Sequence, residues 1–497
     1  MQITSSQLSL DKGVIDVRRV FVYGAFCQLI ALALMLTGNY MFIAGFAAVL
    51  LSPLLVLLIP IEPLIGLPLM LIATGFDASN RISARSGEHF SLTYFHIAML
   101  VTFVAVLMNM LLTKRTRIPY ATFLPSVLSF LVMMAFSLLY SPNFTVGFFE
   151  VIRIAVLVLL AYSMIVCIDN SRRAKIAAWI CMLIPTLVSA YTIYEILTEG
   201  SFFASGVRRI ATELGMPVYR STGTFANPNT LACFLMVGIV IGFGLLLLRS
   251  KNWLTKLIIV VMISTTSIAL ISSFSRSGWL STMTAVFLII LIHRRWRYLY
   301  IFSAILVIVL IVLTIKFPHI LLSVFDRFSS ILNPLSEDSS SSRIAMIKTG
   351  IWIWQDHPLF GVGAGSHAYY SFRYMDPSMP LILSNVVEPH TLQIKILVEE
   401  GIIGFAIASW FFFTVLYDGL RSLRTMASDY LKHVQIALIA LFVGFIVNFT
   451  FGADMFNNTF WICIGIMYAI PFADANEQAR SRDLPAASGP AVALTVE

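Results

Sequence analysis

The sequence predicts an all-α integral membrane protein with about 12–14 transmembrane helices and one long, partly helical outer loop. Of its 497 residues 59% are hydrophobic and 12% charged, and the mean hydropathy is +0.88. A water-soluble domain would carry roughly twice that charged fraction. Apolar runs long enough to cross a hydrocarbon core of about 30 Å recur along the chain. Backbone N–H and C=O groups in lipid must be satisfied internally, and no run shows the alternation of a barrel strand. The spans are therefore helices.

In order, the apolar runs lie near 20–37, 41–59, 61–76, 93–112, 123–140, 146–168, 175–195, 229–248, 256–273, 277–292, 298–316, 391–417, 433–450 and 457–472. The third is short and carries Pro63 and Pro68, so it reads as a full span or as a broken or re-entrant helix. The net charge of +8 is spread as small basic clusters between apolar runs, which is not the pattern of a nucleic-acid binder. With the N-terminus inside, three basic residues fall in each of six inner segments: Lys12/Arg18/Arg19, Lys114/Arg115/Arg117, Arg172/Arg173/Lys175, Arg249/Lys251/Lys256, Arg294/Arg295/Arg297 and Arg421/Arg424/Lys432. The positive-inside rule fixes the orientation from that bias.

The resulting organisation is a cytoplasmic tail (1–19), N-terminal transmembrane helices (20–316) that include an outer loop at 196–228, a periplasmic loop or lid (317–390), C-terminal transmembrane helices (391–472) and a disordered cytoplasmic tail (473–497). The first apolar run lacks a small-residue cleavage site, so no cleavable signal peptide is expected. In the lid, Arg343–Gln355 has helical periodicity, and Glu337–Ser342 is expected to supply its N-cap. Cys27, Cys167, Cys181, Cys233 and Cys463 all fall inside apolar runs and read as core packing rather than a disulfide or metal framework.

Polar chemistry concentrates on the outer side. Arg208 and Arg209 read as arginines snorkelling to headgroups. Arg220 opens the string Arg-Ser-Thr-Gly-Thr-Phe-Ala-Asn-Pro-Asn229, and Arg276 sits in Ser-Arg-Ser-Gly278 at the mouth of another span. Planar guanidinium forks bind phosphate bidentately and stay charged, so two at span ends suit a lipid-linked pyrophosphate. Arg153 lies three residues from Glu150 at an outer span end; it reads as an ion pair with Glu150 or as a further phosphate contact. His390 begins the span at 391, and a neutral imidazole is suited to take a proton from a hydroxyl near pH 7. His319, His357 and His367 lie on the same side without zinc-ligand spacing, so neither metal nor cofactor is expected.

Four ordered pieces carry a family resemblance: Gly223-Thr-Phe-Ala-Asn-Pro-Asn229; Ser275-Arg-Ser-Gly-Trp-Leu280; Asp356-His-Pro-Leu-Phe-Gly-Val-Gly-Ala-Gly365; and His390 followed by Gly401-Ile-Ile-Gly404. Over roughly residues 215–410 the chain resembles the O-antigen ligase and polymerase superfamily of bacterial membrane glycosyltransferases. The resemblance implies a GT-C-like fold in the inner membrane. It also implies transfer of a glycan, with inversion and without metal, from undecaprenyl pyrophosphate to an acceptor hydroxyl at the periplasmic face. On that pattern Arg220 and Arg276 bind the donor pyrophosphate and His390 activates the acceptor.

The acceptor is a glycan, lipid A-core or a protein hydroxyl. Membrane lipids and other polysaccharide-assembly proteins complete the expected partners, and no nucleic acid is among them. Ligases of the family carry an amide or serine after the histidine, where this chain has Thr391, a departure that tilts the reading to a polymerase of O-antigen, capsule or exopolysaccharide. A transporter or flippase of the same lipid-linked glycan is the reading from another class; it predicts internal repeats and midplane charges.

Overall fold

The computed structural model describes residues 63–75, 94–112, 121–198, 210–213, 216–225, 227–248, 252–294, 338–374, 391–451 and 457–483, with isolated helical positions between 300 and 315. The runs read at 20–37 and 41–59 lie outside the described residues, and that at 298–316 is described only at those isolated helical positions. A 3-10 turn at Pro63–Ile65 leads into α1 (Gly66–Gly75). There follow α2 (Tyr94–Leu112), α3 (Leu124–Ser137), α4 (Phe144–Cys167), α5 (Ser171–Thr198), the strands β1 (Ile210–Glu213) and β2 (Met216–Tyr219), α6 (Pro228–Leu246), α7 (Trp253–Ser272) and α8 (Arg276–His293). The lid holds α9 (Asp338–Asp356) and α10 (His367–Ser371), and the chain closes with α11 (Leu392–Ser422), α12 (Asp429–Phe451) and α13 (Asn458–Asp483).

Among the described residues seven helices are long and apolar enough to cross a membrane: α4, α5, α6, α7, α8, α11 and α12. The chain is an all-α integral membrane protein. α1, at ten residues, reaches only about 15 Å, and Pro63 opens the 3-10 turn before it. A β-hairpin, which the hydropathy pattern does not announce, is the exception to the all-helical class: Ile210 pairs with Tyr219 and Glu213 with Met216, antiparallel.

α6 is the axis of the bundle. It packs on α5, α7, α8 and α12, and 89% of its apolar window is buried, against 33% for α4 and for α7. Leu231, Phe234, Phe243 and their neighbours fill the centre with Phe445, Phe449 and Phe460 from the last two helices. Cys167, Cys181, Cys233 and Cys463 are free thiols buried in this core; Cys27 lies outside the described residues.

One end of the bundle collects the polar loops. The Gly223 N–H donates to Glu195 Oε2 at the end of α5 (2.9 Å), the Thr224 hydroxyl donates to the Gly75 carbonyl at the end of α1, and the Ser221 N–H donates to the Ser272 carbonyl (3.1 Å). The Thr391 hydroxyl reaches the Thr450 carbonyl at 3.4 Å. At the opposite end Asp474 caps the loop before α12, accepting from the Ala427 and Ser428 N–H groups at 2.7 and 3.0 Å. The last helix runs on through Asp474 to Asp483, which corrects the expected start of the tail at 473. Ala, Glu, Gln and Arg in this stretch are good helix formers, and Asp474 and Asn476 tie it to its neighbours. The lid helix likewise starts earlier than expected, at Asp338, so the serines at 339–342 lie inside it rather than before it.

Candidate active site

The arginine strings meet where α6 and α8 begin. Asn227 caps α6, its Oδ1 accepting from the Asn229 N–H at 2.9 Å, and Pro228 supplies the first helical residue. Ser275 caps α8 and accepts from the Gly278 N–H at 3.3 Å. Between the caps, Asn229 Oδ1 accepts from both Ser275 Oγ (2.9 Å) and the Arg220 guanidinium (3.2 Å), and Arg220 Nε donates to the Ser273 carbonyl at 3.0 Å. The β-hairpin delivers the chain to Arg220, and Arg276 is the first residue of α8, half-buried, directly after the capping serine. Two helix N-termini thus meet beside the Arg220 guanidinium, with Arg276 at the first position of α8, and helix N-terminal dipoles favour an anion.

The other expected residues are placed differently. Arg153 is exposed on α4, where its charge acts on His96 of α2. Glu150 pairs with Lys395 of α11, Nζ to Oε1 2.6 Å, rather than serving as a local partner for Arg153. His390, Arg208 and Arg209 lie outside the described residues; Thr391, next to His390, takes the N-cap position of α11 in an extended conformation.

The segment 356–365 locks into a break in α11. Gly401 has φ +65° and ψ −166°, which interrupts the helix. The carbonyls of Val398 and Glu399, left without helical partners, accept from the Val362 and Gly363 N–H groups at 2.9 and 2.8 Å. In return the Ile402 and Ile403 N–H groups donate to the Pro358 and Leu359 carbonyls at 2.9 and 3.3 Å. Gly361, Gly363 and Gly365 of the inserted loop all adopt positive φ, between 70° and 96°. Ile353, Val362 and Val398 form a small separate core under the lid. Tyr374 donates to Asp356 Oδ2 at 2.5 Å, and that bond raises its phenol above the usual value.

A Cβ on Gly401 would run into the Leu359 carbonyl and would have to hold a positive φ. Gly401→Ala is therefore expected to lower stability by about 1–3 kcal/mol and to expose the 358–366 loop to protease. Thermal unfolding and limited proteolysis read both effects, and a protease-resistant variant of wild-type stability would contradict the docking role.

Sequence reasoning passed over Lys395, Glu399, Glu400 and Glu195. The signal was present: Lys395 and Glu399 stand four apart in an otherwise apolar span, and an ionisable residue in a span is a functional candidate by default. Among the described residues no group of three or more His, Cys, Asp or Glu is placed to hold a metal ion.

Fold and site define a multi-pass helical membrane protein in which the capped starts of two helices meet at one end of the bundle and a glycine-rich loop locks a broken helix. Residues 257–409 match a family model described as O-antigen ligase. The match takes in Arg276, the lid, His390 and the broken start of α11, while Arg153 and Arg220 lie before it. It supports the O-antigen ligase and polymerase superfamily, and with it a part in glycan transfer during O-antigen or polysaccharide assembly. No curated protein matches the chain.

Proposed function

We propose that the protein is a glycosyltransferase of the bacterial inner membrane. It moves a glycan from undecaprenyl pyrophosphate to an acceptor hydroxyl at the periplasmic face, as a polymerase of O-antigen, capsule or exopolysaccharide. The observation that carries this reading is the convergence of Arg220, Asn229 and Ser275 at the N-termini of α6 and α8, beside a segment matching an O-antigen ligase domain. The orientation rests on charge: Arg172, Arg173, Arg294, Arg421 and Arg424 belong to the end of the bundle opposite that convergence, the end the positive-inside rule assigns to the cytoplasm.

In the proposed reaction the acceptor oxygen attacks the anomeric carbon from the face opposite the pyrophosphate. The new C–O bond forms as the bond from the anomeric carbon to the phosphate oxygen breaks, which inverts the centre. The acceptor proton passes to His390, and the leaving pyrophosphate takes the bonding electron pair. Pyrophosphate is already a good leaving group, so the protein's task is to stabilise its developing charge and align the substrates. Arg220 and Arg276 do the first, with Arg153 as an accessory contact, and no metal is required.

Ligation onto lipid A-core or a protein hydroxyl is the second reading, favoured by the description of the matched family. Deletion in the native host separates the possibilities. Core capped by a single repeat, or loss of a long exopolysaccharide, is expected for the polymerase. Unmodified core with accumulated lipid-linked polymer would assign a ligase, and repeat units trapped on the cytoplasmic leaflet a flippase.

A further inference from the structure

A buried charged cluster beneath the docked loop has no part in the transfer chemistry above. Lys395 Nζ lies 2.6 Å from Glu150 Oε1 on α4 and 4.0 Å from Glu399 Oε2 one turn along α11. Glu400 Oε1 accepts from Ser137 Oγ of α3 at 3.0 Å, and both Glu150 and Lys395 act on Glu400 electrostatically. Glu399 and Glu400 are only 4% and 2% exposed. Three carboxyls therefore share one ammonium in a place with little access to water. Of the remaining ionisable neighbours, Arg153 lies exposed three residues along α4 from Glu150, Tyr140 faces Glu400 from beyond the end of α3, and His367 of the lid turns Nδ1 to Ser371 Oγ while its backbone N–H donates to Glu399 Oε1.

Full ionisation would leave two buried negative charges uncompensated, and desolvation strongly disfavours that state. A second, independent observation points the same way. Glu400 Oε2 and Glu150 Oε2 are buried without a hydrogen-bond partner. An ionised oxygen in that situation carries charge with no donor to stabilise it, a larger penalty than that of a neutral carboxyl left unpaired. Carboxyl pairs held too close to ionise together resolve the conflict by sharing a proton.

We propose that Glu399 and Glu400, set beside Lys395 and Glu150, form a proton-binding site whose two carboxyls share one proton at neutral pH. The site lies under the loop contacts. Glu399 holds Gly363 through its carbonyl and His367 through its carboxylate, and Ser137 bridges Glu400 to the Ala364 N–H at 3.0 Å. Loss of the proton at alkaline pH adds a charge between α3 and α11 and loosens the docked loop.

Infrared spectroscopy of the full-length protein in lipid bilayers reads the proton directly and independently of glycan transfer. A protonated-carboxyl C=O band, sensitive to deuterium exchange, is expected at neutral pH. It should disappear in each of Glu400→Gln, Glu399→Gln and Glu150→Gln, because removing any one negative charge removes the need for the proton. Absence of the band in the wild type overturns the proposal, and so does its survival in all three variants. Glutamine at 400 is isosteric with the neutral acid and should fold normally; failure of Glu400→Gln to accumulate would show that the site requires the carboxylate and would also overturn it.

Discussion

Replacing His390 by alanine is expected to lower glycan transfer by about 10²–10⁴-fold, the contribution of a positioned general base, while the protein remains inserted and abundant. The argument begins with the chemistry. Attack by a sugar hydroxyl needs its proton removed as the new bond forms, and near pH 7 imidazole is the side chain whose two protonation states both lie within reach. His390 stands immediately before Thr391, which begins α11, and five residues before Lys395, which anchors that helix to α4. The start of α11 is thereby held through Glu150, and through the Thr391 and Gln393 contacts to Thr450, the latter at 3.0 Å. The helix that follows His390 is anchored by these contacts of its own residues, so truncation at 390 should spare the fold. Transfer at the wild-type rate in His390→Ala would remove the base from the mechanism.

The arginines are expected to give the second large effect. Arg220→Ala and Arg276→Ala should each reduce use of the pyrophosphate-linked donor by about 10²–10³-fold, the scale set by losing one oriented group at a developing charge. Their side effects should differ. Arg220 also bonds the Ser273 carbonyl and Asn229 Oδ1, so its removal strips donors from half-buried acceptors and is expected to cost about 1–3 kcal/mol of stability. Arg276 opens α8 after the capping serine, and its removal leaves the Asn229–Ser275 bond in place. Lysine at either position should rescue only partly, since a point charge cannot reproduce the planar fork. Donor kinetics combined with thermal unfolding separate the two contributions; wild-type donor kinetics in both alanine variants would dispose of the phosphate clamp.

Much of the scaffold was legible because lipid leaves the chain few choices. Runs such as 93–112 and 229–248 return as helices at Tyr94–Leu112 and Pro228–Leu246, since hydropathy and internal hydrogen bonding act on the same twenty residues. The ends were harder to read. Asp474 looks like the start of a polar tail, yet it is a cap for the neighbouring loop, and the helix continues past it to Asp483. The β-hairpin before Arg220 is too short to leave a periodic signal.

At the site, the sequence located Arg220 and Arg276 by their place at span ends, and their strings do meet through Asn229 and Ser275. It misassigned the partner of Glu150, because an i,i+3 neighbour is visible in one dimension and Lys395, hundreds of residues away, is not. Glycines 361, 363 and 365 and glycine 401 stand in two separate strings of the sequence, and nothing in one dimension links them. Their positive φ values serve a mutual exchange of hydrogen bonds between a loop and a broken helix, a pairing that only the tertiary structure reveals.

The central claim is tested most directly by reconstituting the full-length protein in lipid vesicles with a polyprenyl-pyrophosphate-linked glycan and a free hydroxyl acceptor, with a metal chelator present. The account predicts release of polyprenyl pyrophosphate together with a new glycoside of inverted anomeric configuration. Movement of intact lipid-linked glycan across the bilayer without any cleavage of the donor would contradict it.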